Sequence, residues 1–245
     1  MKTSNILFTT AILFFLSYLV IFDFGLKSQY NSIKKMGLAN YEKSHRFDEF
    51  QKVKVESFKN INLKASNLVN VRVEYGDQEA VWLLKNMSEA IQIDNKADDL
   101  LVDINKNWKG NYFSNREFAV IIITPKINKL TTSITLSKNE WEGHRNEISG
   151  FTQDSMAIYV SDLTKVDMNN NRIQSLDAKI GSGLAGGNFF VGANNKIESV
   201  KLDVKGRSSI EFQNAEIKNL ERDLSDSSSV TLKGKVLKGI GNEVK

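Results

Sequence analysis

The chain has 245 residues, 41% of them hydrophobic and 25% charged, enough to bury a sizeable core in one or two domains. Its net charge of +4 is small, and its lysines alternate with Asp and Glu, which excludes the gathered basic face that a nucleic-acid partner needs. There is no cysteine, so disulfides and thiolate metal sites are excluded, and any histidine-based site has to use one of two residues, His45 or His144.

Residues 6–22, ILFTTAILFFLSYLVIF, carry no charge and no polar face, and they are the right kind of segment for a membrane-spanning helix. A cleaved signal peptide is the competing reading, but the following DFGLKSQYNS offers no small-x-small cleavage site. We therefore expect an uncleaved N-terminal membrane anchor within residues 1–24. Lys27, Lys34 and Lys35 follow the apolar run and Lys2 precedes it, a count that favours a cytoplasmic C-terminal side. A run starting so near the N-terminus behaves as an export signal, and we expect a periplasmic domain behind an inner-membrane anchor. Residues 25–46 read as a polar juxtamembrane stalk.

From residue 47 to 245 the pattern is β. Apolar residues alternate at Val53/Val55, Ile61/Leu63, Val69/Val71/Val73 and Val81/Leu83, the signature of half-buried strands. FAVIIIT, residues 118–124, is a continuous run expected to be buried on both faces. A single proline, Pro125, among fifteen glycines leaves the turns to Gly, Asn, Asp and Ser.

The last third repeats. NKIESVKLDVKGRSSIEFQ from Asn195 aligns at a constant offset with AEIKNLERDLSDSSSVTLK from Ala215, as I-x-x-[VL]-x-x-x-[VL]-x-x-x-S-S-[IV]-x-[FL]. Earlier copies are expected at Ile173/Leu176/Ala178/Ile180, at Leu163/Val166/Met168 and at Leu130/Ile134/Leu136. A period near 20 with short β runs and Gly/Ser/Asp corners predicts an all-β parallel solenoid, in which each coil buries its inward side chains on the next. Val204→Asp and Leu224→Asp are then both expected to damage folding.

KIGSGLAGGNFF, residues 179–190, holds G-x-G-x-x-G at Gly181, Gly183 and Gly186, with Asp203 at the distance of a ribose-binding acid. A dinucleotide site needs a helix directly after the loop, and β-alternating residues follow instead. The interval Ile173–Ile197 is 24 rather than 20, so the expectation is a coil with a four-residue insertion at a glycine corner, and no cofactor. Asp98, Asp99 and Asp103 read as a charged turn without an EF-hand loop, and SDSSS at 225–229 reads as a turn without a nucleophile elbow. Candidate partner-binding loops are those with Trp108, Tyr112 and Phe113, and with Trp141, His144 and Arg145; loop aromatics suit protein or carbohydrate contact, and packing of the same rings into the core is the alternative, which the sequence favours as the better single reading.

LSDSSSVTLKG (224–234), VKGRSSIEF (204–212), FAVIIITPKINKLTTSITL (118–136) and FQKVKVESFKNINLKASNLVNVRVEYGDQEAV (50–81) together resemble the putative auto-transporter adhesin head GIN domain family of Bacteroidetes, over about residues 47–240. The resemblance implies a right-handed β-solenoid on the cell envelope, with 50–81 as its first coil, and supplies no catalytic residues. The expected function is a non-catalytic binding, adhesion or scaffolding module whose partners are the membrane and an envelope protein or polysaccharide. The alternatives are a polysaccharide-active β-helix enzyme, with a groove including Arg116, Glu140, Glu142 and Arg145, and a cytoplasm-facing polymerising scaffold.

Overall fold

The computed structural model describes residues 2–36, 46–105, 118–135, 144–183 and 185–240. It contains two units, Met1–Glu49 and Phe50–Lys245. Among the described residues of the first unit there is one helix, α1 (Lys2–Met36). Within it Thr10–Ser28 has a mean hydropathy of 1.7 and no buried residue, so it is long and apolar enough to cross a membrane or to act as a signal sequence. The helix continues through 25–36, the first part of the segment read as a stalk, where no proline interrupts it.

The second unit is mostly β. Its strands are β1 (Phe50–Val53), β2 (Asn60–Leu63), β3 (Val71–Tyr75), β4 (Ala80–Leu84), β5 (Ile91–Lys96), β6 (Asp99–Ile104), β7 (Val120–Thr124), β8 (Lys129–Thr132) and β9 (Asn146–Ser149). They continue as β10 (Thr152–Val160), β11 (Lys165–Asn169), β12 (Arg172–Ile180), β13 (Asn188–Val191), β14 (Lys196–Val204), β15 (Ser209–Gln213), β16 (Glu216–Leu224) and β17 (Ser229–Lys233), followed by helix α2 (Lys235–Ile240). Among the described residues these form a nine-stranded sheet, β1-β4-β7-β3-β9-β11-β13-β15-β17, and an eight-stranded sheet, β16-β14-β12-β10-β8-β2-β6-β5. Each coil gives one strand to each sheet and pairs in parallel with its neighbours, the arrangement of a β-solenoid.

The C-terminal register agrees with the repeat residue by residue. Ile197 lies opposite Ile217, Val200 opposite Leu220 and Val204 opposite Leu224; Ile210 lies opposite Val230 and Phe212 opposite Leu232. The Ile173 copy also pairs as read, with Ile173 on Ile197 and Ala178 on Leu202. Ile197 and Val200 are both buried although three apart, and the two residues between them, Glu198 and Ser199, are both exposed. The inward columns run the length of the stack. One is Leu100, Ile61, Leu130, Ile158, Ala178 and Leu202, every member essentially buried. Each such side chain contributes about 1.5–3 kcal/mol when it leaves water, but only because a neighbouring coil covers it.

Several expectations need correction. Val166 and Met168 are not a copy of Ile173 and Leu176: they lie in the other sheet, opposite Phe189 and Val191. Leu163 stands at a corner with φ 62. Leu130 stacks on Ile158, so it matches Ala178 and not Ile173. Residues 50–81 are not one coil. β1 and β4 are antiparallel strands at the end of the nine-stranded sheet, and only β2 and β3 form a coil. That coil is also not first in space. It lies between the coil β6–β7, which pairs with it on one side, and β8–β9, which pairs on the other. In β7, Val120, Ile121 and Ile122 are buried and Ile123 is only half-buried.

Corners repeat as faithfully as strands. Gly150, Asn170, Asn194 and Asn214 stand at successive corners with φ 85, 59, 64 and 57, a left-handed conformation that Gly and Asn tolerate best. The residues that follow form a buried ladder: Phe151, Asn171, Asn195 and Ala215. Asn171 Oδ1 accepts the Phe151 N–H at 3.0 Å, and Asn195 Oδ1 accepts the Asn171 N–H at 3.0 Å and its Nδ2 at 2.9 Å. Asn195 Nδ2 donates to the carbonyls of Met168 and Gly192. The opposite corners close by hydroxyls: Thr164, Ser208 and Ser228 each donate to the carbonyl three residues back. This is the role of the first Ser of the S-S motif.

Among the described residues β16–β17 is the last coil of the stack. Arg222 closes the Leu202 column, Leu224 is 37% exposed, and α2 covers part of the end with Val236 buried. Val204→Asp, which puts a charge at 0% exposure, is therefore expected to abolish the cooperative melt, whereas Leu224→Asp, contrary to the sequence expectation, is expected to cost under about 1 kcal/mol. Asn195→Ala takes the acceptor from the buried Asn171 N–H and the side-chain donor from the Gly192 carbonyl, whereas Asn171 Nδ2 and the Met168 carbonyl keep other partners; a loss of about 2–3 kcal/mol is expected, seen as a melting point lower by several degrees, and exposed Asn219→Ala is the control, expected to change little.

Candidate functional site

The glycine loop is occupied by the protein itself. Residues 181–187 join β12 to β13, a strand and not a helix. Ile180 and Asn188 are eight apart, where Val160 and Lys165 are five apart, so three of the four inserted residues lie here. Gly181 and Gly186 have φ 76 and 92, and a Cβ on either would collide with the next corner, at Ser208 Oγ and Lys205 O for Gly181 and at Arg207 for Gly186. The N–H groups of the loop surround a carboxylate from the coil below. Asp162 accepts the Ser182 N–H at 3.0 Å, the Gly186 N–H at 2.9 Å and the Ser182 hydroxyl. Burial pushes its pKa up, and the hydrogen bonds from Ser182, Gly186 and Ala185 outweigh that, leaving it below the ordinary carboxylate value. The anion nest that suggested a phosphate site is a device for holding a coil insertion in place.

A second cluster lies on the outer face of the nine-stranded sheet. Arg72, Glu147 and Asp167 share one row across β3, β9 and β11. Arg145 bridges the two acids, with Nη2 3.0 Å from Glu147 and Nε 2.8 Å from Asp167. Lys165 stands 3.5 Å from Asp167 and Arg72 3.6 Å from Glu147. The Arg72 guanidinium also lies 4.0 Å from the centre of the Phe118 ring, a cation–π contact. Asp167 is 4% exposed, so its charge has to be paired, and it is. Each carboxylate already holds a cation. The network ties three strands together and does not present a free acid to a substrate.

Of the residues singled out from the sequence, Arg145 belongs to this network, and its backbone N–H is held by Asn70 Oδ1 at 2.6 Å. His144 is buried beside it and is not a surface contact. Trp108, Tyr112, Phe113 and Trp141 lie outside the described residues, as do Arg116, Glu140 and Glu142. Asp98 pairs with Lys59 at 3.0 Å, Asp99 accepts from Asn60, and Asp103 accepts the Ile104 N–H. In 225–229, Ser228 donates to the Ser225 carbonyl. Sequence reasoning missed Asp162, Asn171 and Asn195. The Asn-Asn pairs before Arg172 and Lys196 were a readable signal, because they precede the same repeat position; Asp162 had none.

No protein-family profile and no curated protein matches the chain. Among solved structures it resembles a putative adhesin from Parabacteroides distasonis, with a TM-score of 0.58, 15% identity, and 74% of this chain and 71% of that chain covered. A putative adhesin from Bacteroides fragilis aligns with 18% identity over 75% of this chain and 95% of that one, at a TM-score of 0.45. The first likeness shows a shared fold.

Because the Asp162 pKa is depressed on folding, its contribution is complete above the unfolded value of about 3.9 and is lost as pH falls through the folded value. Asp162→Asn is expected to lower the melting point at pH 7 by several degrees, for about 1–3 kcal/mol, and the gap to wild type is expected to narrow below about pH 4. Melts at pH 7, 5 and 3 check both statements.

Proposed function

We propose that this chain is a non-catalytic binding or adhesion module held at the cell envelope by an uncleaved α1, with the solenoid outside the inner membrane. The observation that carries the reading is the fold shared with a protein described as a putative adhesin. The head GIN domain resemblance of 50–81, 118–136, 204–212 and 224–234 points the same way. A right-handed winding fits, since nearly all strand–crossover–strand connections in parallel sheets take that hand. Two further features support a binding role. A solenoid places its inward residues in the stack and leaves a long regular outer wall free for contact. The connections that carry Trp108, Tyr112 and Phe113 (between β6 and β7) and Trp141 (between β8 and β9) both run from the eight-stranded to the nine-stranded sheet, in coils on either side of β2–β3. They start from one edge of the wall, and we assign the partner contact to that edge, with Arg145 at its base.

The test has two arms. The chain has no cysteine, and Ser227 is exposed in the β16–β17 turn. Ser227→Cys is expected to react in intact cells with a maleimide that does not cross the inner membrane; reaction only after lysis would overturn the envelope placement. Deletion of the chain is expected to reduce adhesion of the cells to a polysaccharide-coated surface, with recovery on complementation; unchanged adhesion would overturn the adhesion role.

A further inference from the structure

We propose that the outer face of the eight-stranded sheet carries a binding groove for a neutral glycan, separate from the loop edge assigned above. The groove has a volume of about 410 Å³, within the range of about 300–1,000 Å³ usual for ligand sites. Its floor is one row of the sheet. Leu101 of β6 lies opposite Asn62 of β2, and Asn62 lies opposite Thr131 of β8. Asp94 of β5 lies opposite Leu101 and continues that row, and Lys96 and Asp99, opposite each other, line the groove beside it. Lys64 and Ser133 close the end nearest the corner.

Apart from the two carboxylates, the polar side chains of this groove are unspent. Among the described residues the side chains of Asn62, Lys64, Lys96, Thr131 and Ser133 make no hydrogen bond or ion pair within the protein. The same sheet face differs at its other end, where charges are matched coil to coil: Lys196 with Glu216 at 3.0 Å, Lys218 with Glu198 at 2.7 Å and Lys201 with Glu221 at 3.5 Å. What sets the groove apart is that its open donors and acceptors line one concave site, where the regular coils carry several matched charge pairs along the face.

The chemistry selects the ligand class. Two lysines and two aspartates line the groove, so formal charge cancels and an ionic ligand gains no net attraction. The two carboxylates are steadied from outside, Asp94 by Gln92 Nε2 at 2.8 Å and Asp99 by Asn60 Nδ2 at 2.9 Å, which leaves each with acceptor capacity. A sugar hydroxyl donates and accepts at once, so carboxylates alternating with ammonium, amide and hydroxyl groups match it. Leu101 offers an apolar strip for the C–H face of a ring. Neighbouring strands are about 4.8 Å apart. The next residue along the row after Thr131 is Tyr159 of β10, whose half-buried ring stands ready for a second sugar, with Lys129 and Lys179 against it at 5.9 and 5.1 Å.

The test uses the full-length chain in lipid nanodiscs and titration calorimetry with cello-, xylo-, manno- and N-acetylchito-oligosaccharides, with oligogalacturonate as the acidic comparison. Saturable binding of at least one neutral series is expected. Asn62→Ala/Thr131→Val is expected to weaken it about tenfold or more at an unchanged melting point, and Ser175→Ala/Ser199→Ala, on the same face away from the groove, is expected to leave it intact. Lys96→Ala, whose exposed side chain carries no packing, gives a second reading should the double variant fail to fold. No binding of any neutral series, a preference for oligogalacturonate, or affinity unchanged in both groove variants would overturn the proposal. None of these outcomes depends on where the domain sits in the cell, so the groove and the adhesion role can fail separately.

Discussion

A coil of this protein cannot bury its own inward side chains; it can bury them only against the coil on either side. That single constraint fixes most of the remaining structure. Equivalent residues have to lie in register, so columns such as Ile158, Ala178 and Leu202 stay apolar while the sequence between them varies. The chain has to turn at the same places each time, which calls for left-handed corners at Gly150, Asn170, Asn194 and Asn214. Corner backbone groups that face inward have no water, so Asn171 and Asn195 supply the missing partners from coil to coil. Where the stack ends the constraint lapses, and an arginine takes the next place in an apolar column.

The same constraint separates structure from function. Inward positions are committed to the stack, so any binding chemistry has to come from outward rows, from corners or from insertions. These are not alike along the molecule. From β10 onward the coils repeat closely, the corners are short apart from 181–187, and several outward charges are matched from coil to coil. In the half from β1 to β9 the connections after β6 and β8 are long, the partly buried network of acids and arginines starts at Arg72 and reaches Asp167 of β11, and the groove lies open. The insertion in the regular half is the instructive exception. Asp162 takes the Ser182 and Gly186 N–H groups from inside, so in a loop with the outline of an anion site these two donors already hold an anion of the protein itself.

What could be read from the sequence follows this division. The constant offset that carries Ile197 onto Ile217 and Val204 onto Leu224 is a local pattern, and the last coils take their register directly from it. The N-terminal half has no constant offset. Asn60 pairs with Asp99 on one side and Lys129 on the other, both later in the chain and at unequal, long separations that no periodicity reveals. The misplaced copy at Val166 and Met168 has a related cause: both strands of a coil are short and apolar, and spacing alone does not say which sheet a strand joins. The groove was illegible for the same reason as the N-terminal register, since Asn62, Asp94, Leu101 and Thr131 meet only through that pairing. Arg145 was found because it sits in a polar loop sequence. Its role as the bridge between Glu147 and Asp167 depends on partners in two different strands, and Asp167 comes alongside only when the next coil is laid down.

Threading order shapes folding as well as register. Coil β2–β3 is made early in the chain, yet both its edges are completed by later segments: β6 and β7 on one side, β8 and β9 on the other. Closing the interval from Val71 to Asn146, in place of one like that from Ile197 to Ile217, is nearly two doublings of loop length, or about 1.2 kcal/mol of chain entropy. That is small beside the apolar surface the coil buries, so the threading costs little in equilibrium stability. Its effect is on sequence of events. Contacts between successive regular coils close short loops and form sooner than the contact of Val71 with Asn146, and a solenoid propagates from whichever coils form first. The regular coils are the natural place for growth to begin, and the intercalated coil is among the last to be flanked on both sides. The groove spans that coil and both of its neighbours in the eight-stranded sheet, so it exists only once the stack around it is complete.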